Sequence, residues 1–186
     1  MLARTFFHHL IEGLEYLHSN GIAHLDLKLE KLMLGTDYRL KIFGFETCQH
    51  IKEFGNIKSS GTVDYRAPEL MDMSCENPFP ADIYSAGVIL FILKFHFFPY
   101  VEDLDVDGYY LHELLVNGDE QFWSAQNKIR GSDVGYDENF KDLFMSMVTY
   151  EPSERATIEM IRKSAWYQGP IYYRHELKKI MSNIVG

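Results

Sequence analysis

The sequence predicts a mainly α-helical chain with one short β-hairpin near its start, and three stretches carry that prediction. From Ala3 to His18, the residues Phe7, Leu10, Ile11, Leu14 and Leu17 recur at the spacing that gathers apolar side chains on one helix face. From Ile83 to Phe95 nearly every position is apolar, so a helix there has no face to offer water and belongs at the domain centre. Lys31–Leu34 and Leu40–Phe43 are short apolar runs separated by Gly35-Thr36-Asp37, the pattern of a small hairpin.

The remaining elements follow in order. Ser19-Asn20-Gly21 ends the first helix, and Gly55, Gly61, Pro68, Pro78 and Pro80 predict that residues 44–80 are mostly loop. Asp82 opens the central helix. The acidic residues Glu102, Asp103, Asp105 and Asp107 read as a solvated loop. Phe140, Leu143, Phe144, Met147 and Val148 mark a further helix, and Ile158, Met160, Ile161 and Ala165 another. The stretch Ile171–Ile184 carries Leu177, Ile180 and Ile184 on one face, a pattern for a docked tail helix.

The 186 residues suit one domain with a sizeable core, and 46% hydrophobic with 24% charged residues is ordinary for a globular chain. A net charge of −9 argues against nucleic acid and anionic membrane as partners but permits basic peptides or basic protein faces. Cys48 and Cys75 are the only cysteines, which favours a reducing compartment. The longest apolar run, Ala86–Leu93, is too short to span a bilayer, and Met1 is not followed by a charged-then-apolar leader. The expected location is the cytoplasm. The histidines, including His8-His9 and His175, lack metal-binding spacing.

Several stretches share one source. His24-Leu25-Asp26-Leu27-Lys28-Leu29-Glu30-Lys31 resembles the protein kinase catalytic loop, His-Arg-Asp-Leu-Lys-x-x-Asn. Gly61-Thr62-Val63-Asp64-Tyr65-Arg66-Ala67-Pro68-Glu69 is similar to the end of an activation segment. Asp82-Ile83-Tyr84-Ser85-Ala86-Gly87-Val88 matches Asp-x-Trp-Ser-x-Gly-Val on the central helix, and Glu151-Pro152-Ser153-Glu154-Arg155-Ala156-Thr157 matches the late Asp-Pro-x-x-Arg-x-Thr signature, followed by Trp166 at a helix end. The chain is thus identified as a member of the eukaryotic protein kinase family, most similar to serine/threonine kinases of the calcium/calmodulin-dependent group. The resemblance implies a kinase C-terminal lobe over residues 1–168, a tail over 169–186, and no N-terminal lobe in this chain.

Phosphoryl transfer needs positioning and positive charge on the phosphates rather than covalent help. By resemblance, Asp26 stands where the aspartate facing the substrate hydroxyl belongs, and Lys28 and Thr62 would orient it. The two metal-holding positions depart from the pattern. Lys31 replaces the catalytic-loop Asn. In Leu40-Lys41-Ile42-Phe43-Gly44-Phe45-Glu46, aligned to Leu-Lys-Ile-x-Asp-Phe-Gly, Gly44 replaces the metal-binding Asp and Glu46 the glycine. Magnesium wants oxygen ligands that Lys31 and Gly44 do not supply. Losing one preorganised electrostatic element costs about 3–4 kcal/mol of transition-state stabilisation. The resemblance therefore implies an inactive lobe, with no cofactor expected. ATP and magnesium enter only if this is an active serine/threonine kinase whose N-lobe lies elsewhere, or if Lys31 and Glu46 stand in for the missing groups.

The same resemblance assigns structural roles. Asp82 would accept backbone hydrogen bonds from the His24–Asp26 loop, Glu69 and Arg155 would form a buried ion pair, and His24 with Phe45 would form the lower half of a hydrophobic spine. Leu25 replaces the arginine that reads phosphorylation, leaving Ser59 and Ser60 without that receiver. Glu30 matches the glutamate that pairs with substrate arginines, a weak pointer to a basic peptide. The expected partner is a protein or basic peptide, with self-association through the face an N-lobe would cover.

Overall fold

The computed structural model describes residues 1–50, 52, 57, 61–71, 73–100, 105–106, 109–116, 120–130 and 136–185. Its first helix, α1 (Leu2–Ser19), buries Phe7, Leu10, Ile11, Leu14 and Leu17, the residues whose spacing predicts it. A two-residue strand β1 (Ile22–Ala23) follows. A single 3₁₀ turn (Leu29–Lys31) then leads into the hairpin β2 (Leu32–Leu34) and β3 (Leu40–Ile42). Its antiparallel register pairs Leu32 with Ile42, Met33 with Lys41 and Leu34 with Leu40. Met33, 52% exposed, and its partner Lys41 face water, and Leu34 at the strand end is 42% exposed.

The described residues of 44–80 are mostly loop, as the breakers predict, with three short elements among them. A strand β4 (Gln49–His50) pairs antiparallel with β1, so the segment beyond the hairpin returns to flank the catalytic-loop stretch. A 3₁₀ turn (Val63–Tyr65) and a short helix α2 (Pro68–Met71) follow. Short pairings of two residues leave almost no alternation to read, which is why the sequence does not announce them.

The central helix, α3 (Phe79–Phe95), starts about a turn before Asp82, with Pro80 in its first turn, where a missing N–H costs nothing. Residues Ala81 to Ile92 are all buried, as the unbroken apolar run requires. His96 closes it in the left-handed conformation, φ 66°, and donates its N–H to Ile92 O at 2.8 Å. Phe91 lies at the heart of an aromatic layer with Trp123, Phe140 and Phe144.

Beyond α3 come the paired strands β5 (Asp105–Val106) and β6 (Tyr109–Tyr110), then α4 (Leu111–Val116) and α5 (Glu120–Arg130), two helices the sequence reading does not anticipate. Asp105 therefore lies in a strand, whereas Glu102, Asp103 and Asp107 fall outside the described residues. Helix α6 (Glu138–Met147) is capped by Asp137, whose carboxylate accepts from Asn139 N at 3.3 Å. Helix α7 (Ile158–Lys163) is capped by Thr157 Oγ1, which accepts from Met160 N at 3.2 Å. It is shorter than predicted. Ala165 and Trp166 lie past its end, and Met160 is 55% exposed rather than core.

The last helix, α8 (Arg174–Val185), docks on α1. It buries Leu177 and Met181 beside Phe6, with Leu2, Tyr38 and Leu40 around them. Ile184, expected on the inner face, is 62% exposed; Met181 takes that face instead, four residues beyond Leu177. No helix among the described residues is long and apolar enough to cross a membrane.

Candidate functional site

The site is built on the buried carboxylate of Asp82, at the N-terminal end of α3. Its Oδ2 accepts from His24 N and its Oδ1 from Leu25 N, each at 2.8 Å, and His18 Nε2 lies 2.9 Å from Oδ2. Three partners satisfy the charge in a place where an unpaired carboxylate would be costly. They also fix the loop that follows β1. Leu25 sits there in the left-handed region at φ 65°, a conformation branched side chains rarely adopt, and is buried to 4% exposure. Asp26 projects from that loop with its side chain 12% exposed.

Around Asp26 two predicted residues, Lys28 and Thr62, converge. Thr62 donates its backbone N–H to Asp26 Oδ1 at 3.0 Å, and its hydroxyl lies 3.3 Å from the same oxygen. Lys28 Nζ donates to Thr62 Oγ1 at 2.5 Å and lies 3.7 Å from Asp26 Oδ2. Gly61, just before Thr62, has φ 101°, and a Cβ there would lie 2.8 Å from Leu25 O. Only glycine lets the two loops close to this distance.

The second cluster lies one residue turn away. Lys31 ends the 3₁₀ turn, and its Nζ donates to Glu46 Oε2 at 2.7 Å. That bond raises the Lys31 pKa and lowers that of Glu46, each partner favouring the other's charged form. Gly44 sits beneath the same lysine with φ 79°. A Cβ on it would lie 2.3 Å from Lys31 Cδ and 2.6 Å from Lys31 Nζ. The lysine stem thus occupies the space that a side chain at 44 would enter. Backbone bonding ties the two loops together, Phe43 N donating to Lys31 O at 3.0 Å.

His24 and Phe45 meet with ring centroids 5.7 Å apart, and His24 Nε2 lies 3.2 Å from Phe43 O. Phe45 is otherwise 51% exposed. Glu30 is exposed on the 3₁₀ turn. Ser59 and Ser60 lie outside the described residues. Further away, Arg155 and Glu69 form a two-pronged pair at 2.6 and 3.0 Å, with the Arg155 side chain fully buried. Arg155 also donates to Thr149 O, Tyr150 O and Pro80 O, so every guanidinium hydrogen has an acceptor. Sequence reasoning did not single out His18, the third partner of Asp82, or the contact between Lys31 and Gly44. The helical spacing does put His18 on the buried face, four residues after Leu14 and seven after Ile11, but nothing in it names Asp82 as the partner.

A catalytic-loop aspartate anchored from a buried helix-start carboxylate, with a lysine and threonine converging on it, is the arrangement of a protein kinase large lobe. The family model for the protein kinase domain matches residues 1–167, and this chain belongs to the protein kinase family. It is 33% identical over 171 residues to CBL-interacting protein kinase 26 of Oryza sativa subsp. japonica, covering 90% of this chain and 32% of that protein. It is 35% identical over 167 residues to the probable serine/threonine-protein kinase MARK-B of Dictyostelium discoideum, covering 88% of this chain and 22% of that protein. To mouse serine/threonine-protein kinase STK11 it is 32% identical over 171 residues, covering 89% of this chain and 36% of that protein. The chain therefore spans between about a fifth and just over a third of the length of the curated relatives it matches.

The donor set does not suit the divalent cation that the family implies. Among the described residues no group of three or more histidine, cysteine or acidic side chains is placed to hold a metal. Of the two carboxylates nearby, Glu46 is held by Lys31 and Asp26 by Thr62 and Lys28. An ammonium repels a dication and offers it no lone pair.

Proposed function

We propose that this chain is a degenerate protein kinase domain, catalytically inactive, that acts as a protein-binding module. One observation carries the reading: the side chain of Lys31 fills the space against Gly44 and spends its charge on Glu46. Where a kinase would gather oxygen ligands, this chain has a solvent-exposed lysine–glutamate pair. A flexible monovalent cation does not bridge two phosphates as a metal does, so transition-state charge goes unmet. Asp26, Lys28 and Thr62 then serve to order the loop. The module is expected to need neither ATP nor magnesium, to work in the cytoplasm, and to take a protein or basic peptide as partner.

A second reading rests on those same three residues. Their converging hydrogen bonds are what an active serine/threonine kinase uses to orient a substrate hydroxyl. Should a longer chain supply the remaining phosphate-covering elements, Asp26 is ready to act. A phosphotransfer assay on the longest natural chain containing this sequence separates the two. Incorporation of radiolabelled phosphate into a basic peptide, abolished by Asp26→Asn, favours the active reading, and no incorporation above that variant's background favours the inactive one.

A further inference from the structure

A cavity of about 700 Å³, not lined by Asp26, Lys28 or Thr62, opens between the C-terminal end of α1, the segment that follows α2, the start of α3 and residues 150–158. Its size is that of a site for a ligand or anchoring side chains. Pro68, Phe79, Pro80, Ile83, Pro152 and Ile158 give it apolar walls.

Its charge is one-sided. Arg155, among the described residues the one lysine or arginine lining it, has its guanidinium hydrogens committed to Glu69 and three carbonyls. His18 is taken by Asp82. Two further acidic residues line the cavity, Glu76 and Glu151, both exposed, and Glu151 accepts from Ser153 Oγ at 3.4 Å. Exposed Tyr150 stands beside them, 48% in water, and Met71 and Met73 of the neighbouring segment are 41% and 79% exposed. A tyrosine lining an apolar cleft, with exposed methionines nearby in the chain, offers side chains that adapt to a peptide.

We propose that this cavity docks a basic, apolar-anchored peptide segment of a partner protein. The apolar anchor fills the cleft, and lysine or arginine on either side meets Glu76 and Glu151. A neutral floor and an acidic rim select cationic segments and turn away acidic ones, since a like charge at the mouth finds no compensating cation. The inference rests on the reading of the chain as a binding module and names where it binds. Its failure is separate from that reading's, because a peptide that ignores this cleft says nothing about phosphotransfer.

Cys75 lines the cavity and reports on it. In a Cys48→Ser background it is the sole thiol, and its alkylation rate at mildly alkaline pH measures access to the cleft. The probes are a short helical peptide with leucines on one face and arginines on the other, and its twin carrying glutamate at every arginine. The arginine peptide is expected to slow labelling by about tenfold or more at saturation, and less at high salt. The glutamate twin is expected to leave the rate unchanged. Glu76→Lys with Glu151→Lys should exchange the two results, and Glu76→Gln with Glu151→Gln should weaken the first without creating the second. Equal slowing by both peptides, slowing by neither, or a charge-reversed variant that still prefers the arginine peptide would overturn the proposal.

Discussion

The Nζ of Lys31 lies 2.7 Å from Glu46 Oε2, while the stem of the same lysine comes within 2.3 Å of where a side chain on Gly44 would begin. The residues at 31 and 44 are therefore not two independent substitutions but one packed arrangement. A larger residue at 44 must displace Lys31 and adopt φ 79° as well. Gly44→Val is expected to cost about 2 kcal/mol, mostly from left-handed strain with a smaller overpacking part from displacing the flexible Lys31 side chain. With Lys31→Ala in place, the overpacking part should vanish. A double-mutant cycle by urea unfolding is expected to show a coupling of about 0.5 kcal/mol or more, and additivity would mean the two positions do not touch in solution.

The buried Asp82 anchors the catalytic loop through two backbone N–H groups. Asp82→Ala leaves both without a partner, and each orphaned donor costs about 1–3 kcal/mol. A loss of about 3 kcal/mol in urea unfolding is expected, with Asp82→Asn losing less because one acceptor oxygen remains. A loss below about 1 kcal/mol would show that water reaches the loop.

Arg155 and Glu69 make the other buried pair. Removing one partner strands a charge, so Glu69→Ala or Arg155→Ala should each cost about 3–5 kcal/mol. Glu69→Leu with Arg155→Met should cost clearly less than either single change, since no charge is left unpaired. Thermal or urea unfolding of the three variants measures the order directly.

Burial pushes the Cys48 thiol up to about 12 and the Cys75 thiol up to about 11. Both should resist alkylation at neutral pH, with Cys75 reacting first as pH rises. The folded state holds these protons more tightly than the unfolded chain, whose thiols titrate near 9. Their contribution to stability is therefore full below that range and falls as pH climbs through it toward the folded values. Thiol titration of native protein against denatured protein tests this, and equal rates in the two states would contradict it.

Much of this was legible in the sequence because chemistry and packing leave short, dense marks. The helices α1 and α3 follow from residue spacing alone, and the segments around Asp26, Gly44, Thr62, Asp82 and Arg155 follow from resemblance. What could not be read is pairwise. Lys31 and Gly44 are each conspicuous in the chain, but only folding shows that one occupies the other's space. The strands β1 and β4 are too short to leave a period, and α4 and α5 mix Trp123 and Phe122 with polar neighbours such as Gln126, which turns out to be fully buried. The acidic rim of Glu76 and Glu151 comes from segments far apart in the sequence.

In the proposed reading the exposed Lys31 ammonium, paired with Glu46, stands where the family's metal–nucleotide chemistry would need oxygen ligands. Thermal unfolding of this chain with and without magnesium and ATP, repeated with a chelator, tests it most directly. No change in melting temperature in any arm is the predicted result. A clear rise with magnesium and ATP that the chelator removes would contradict it.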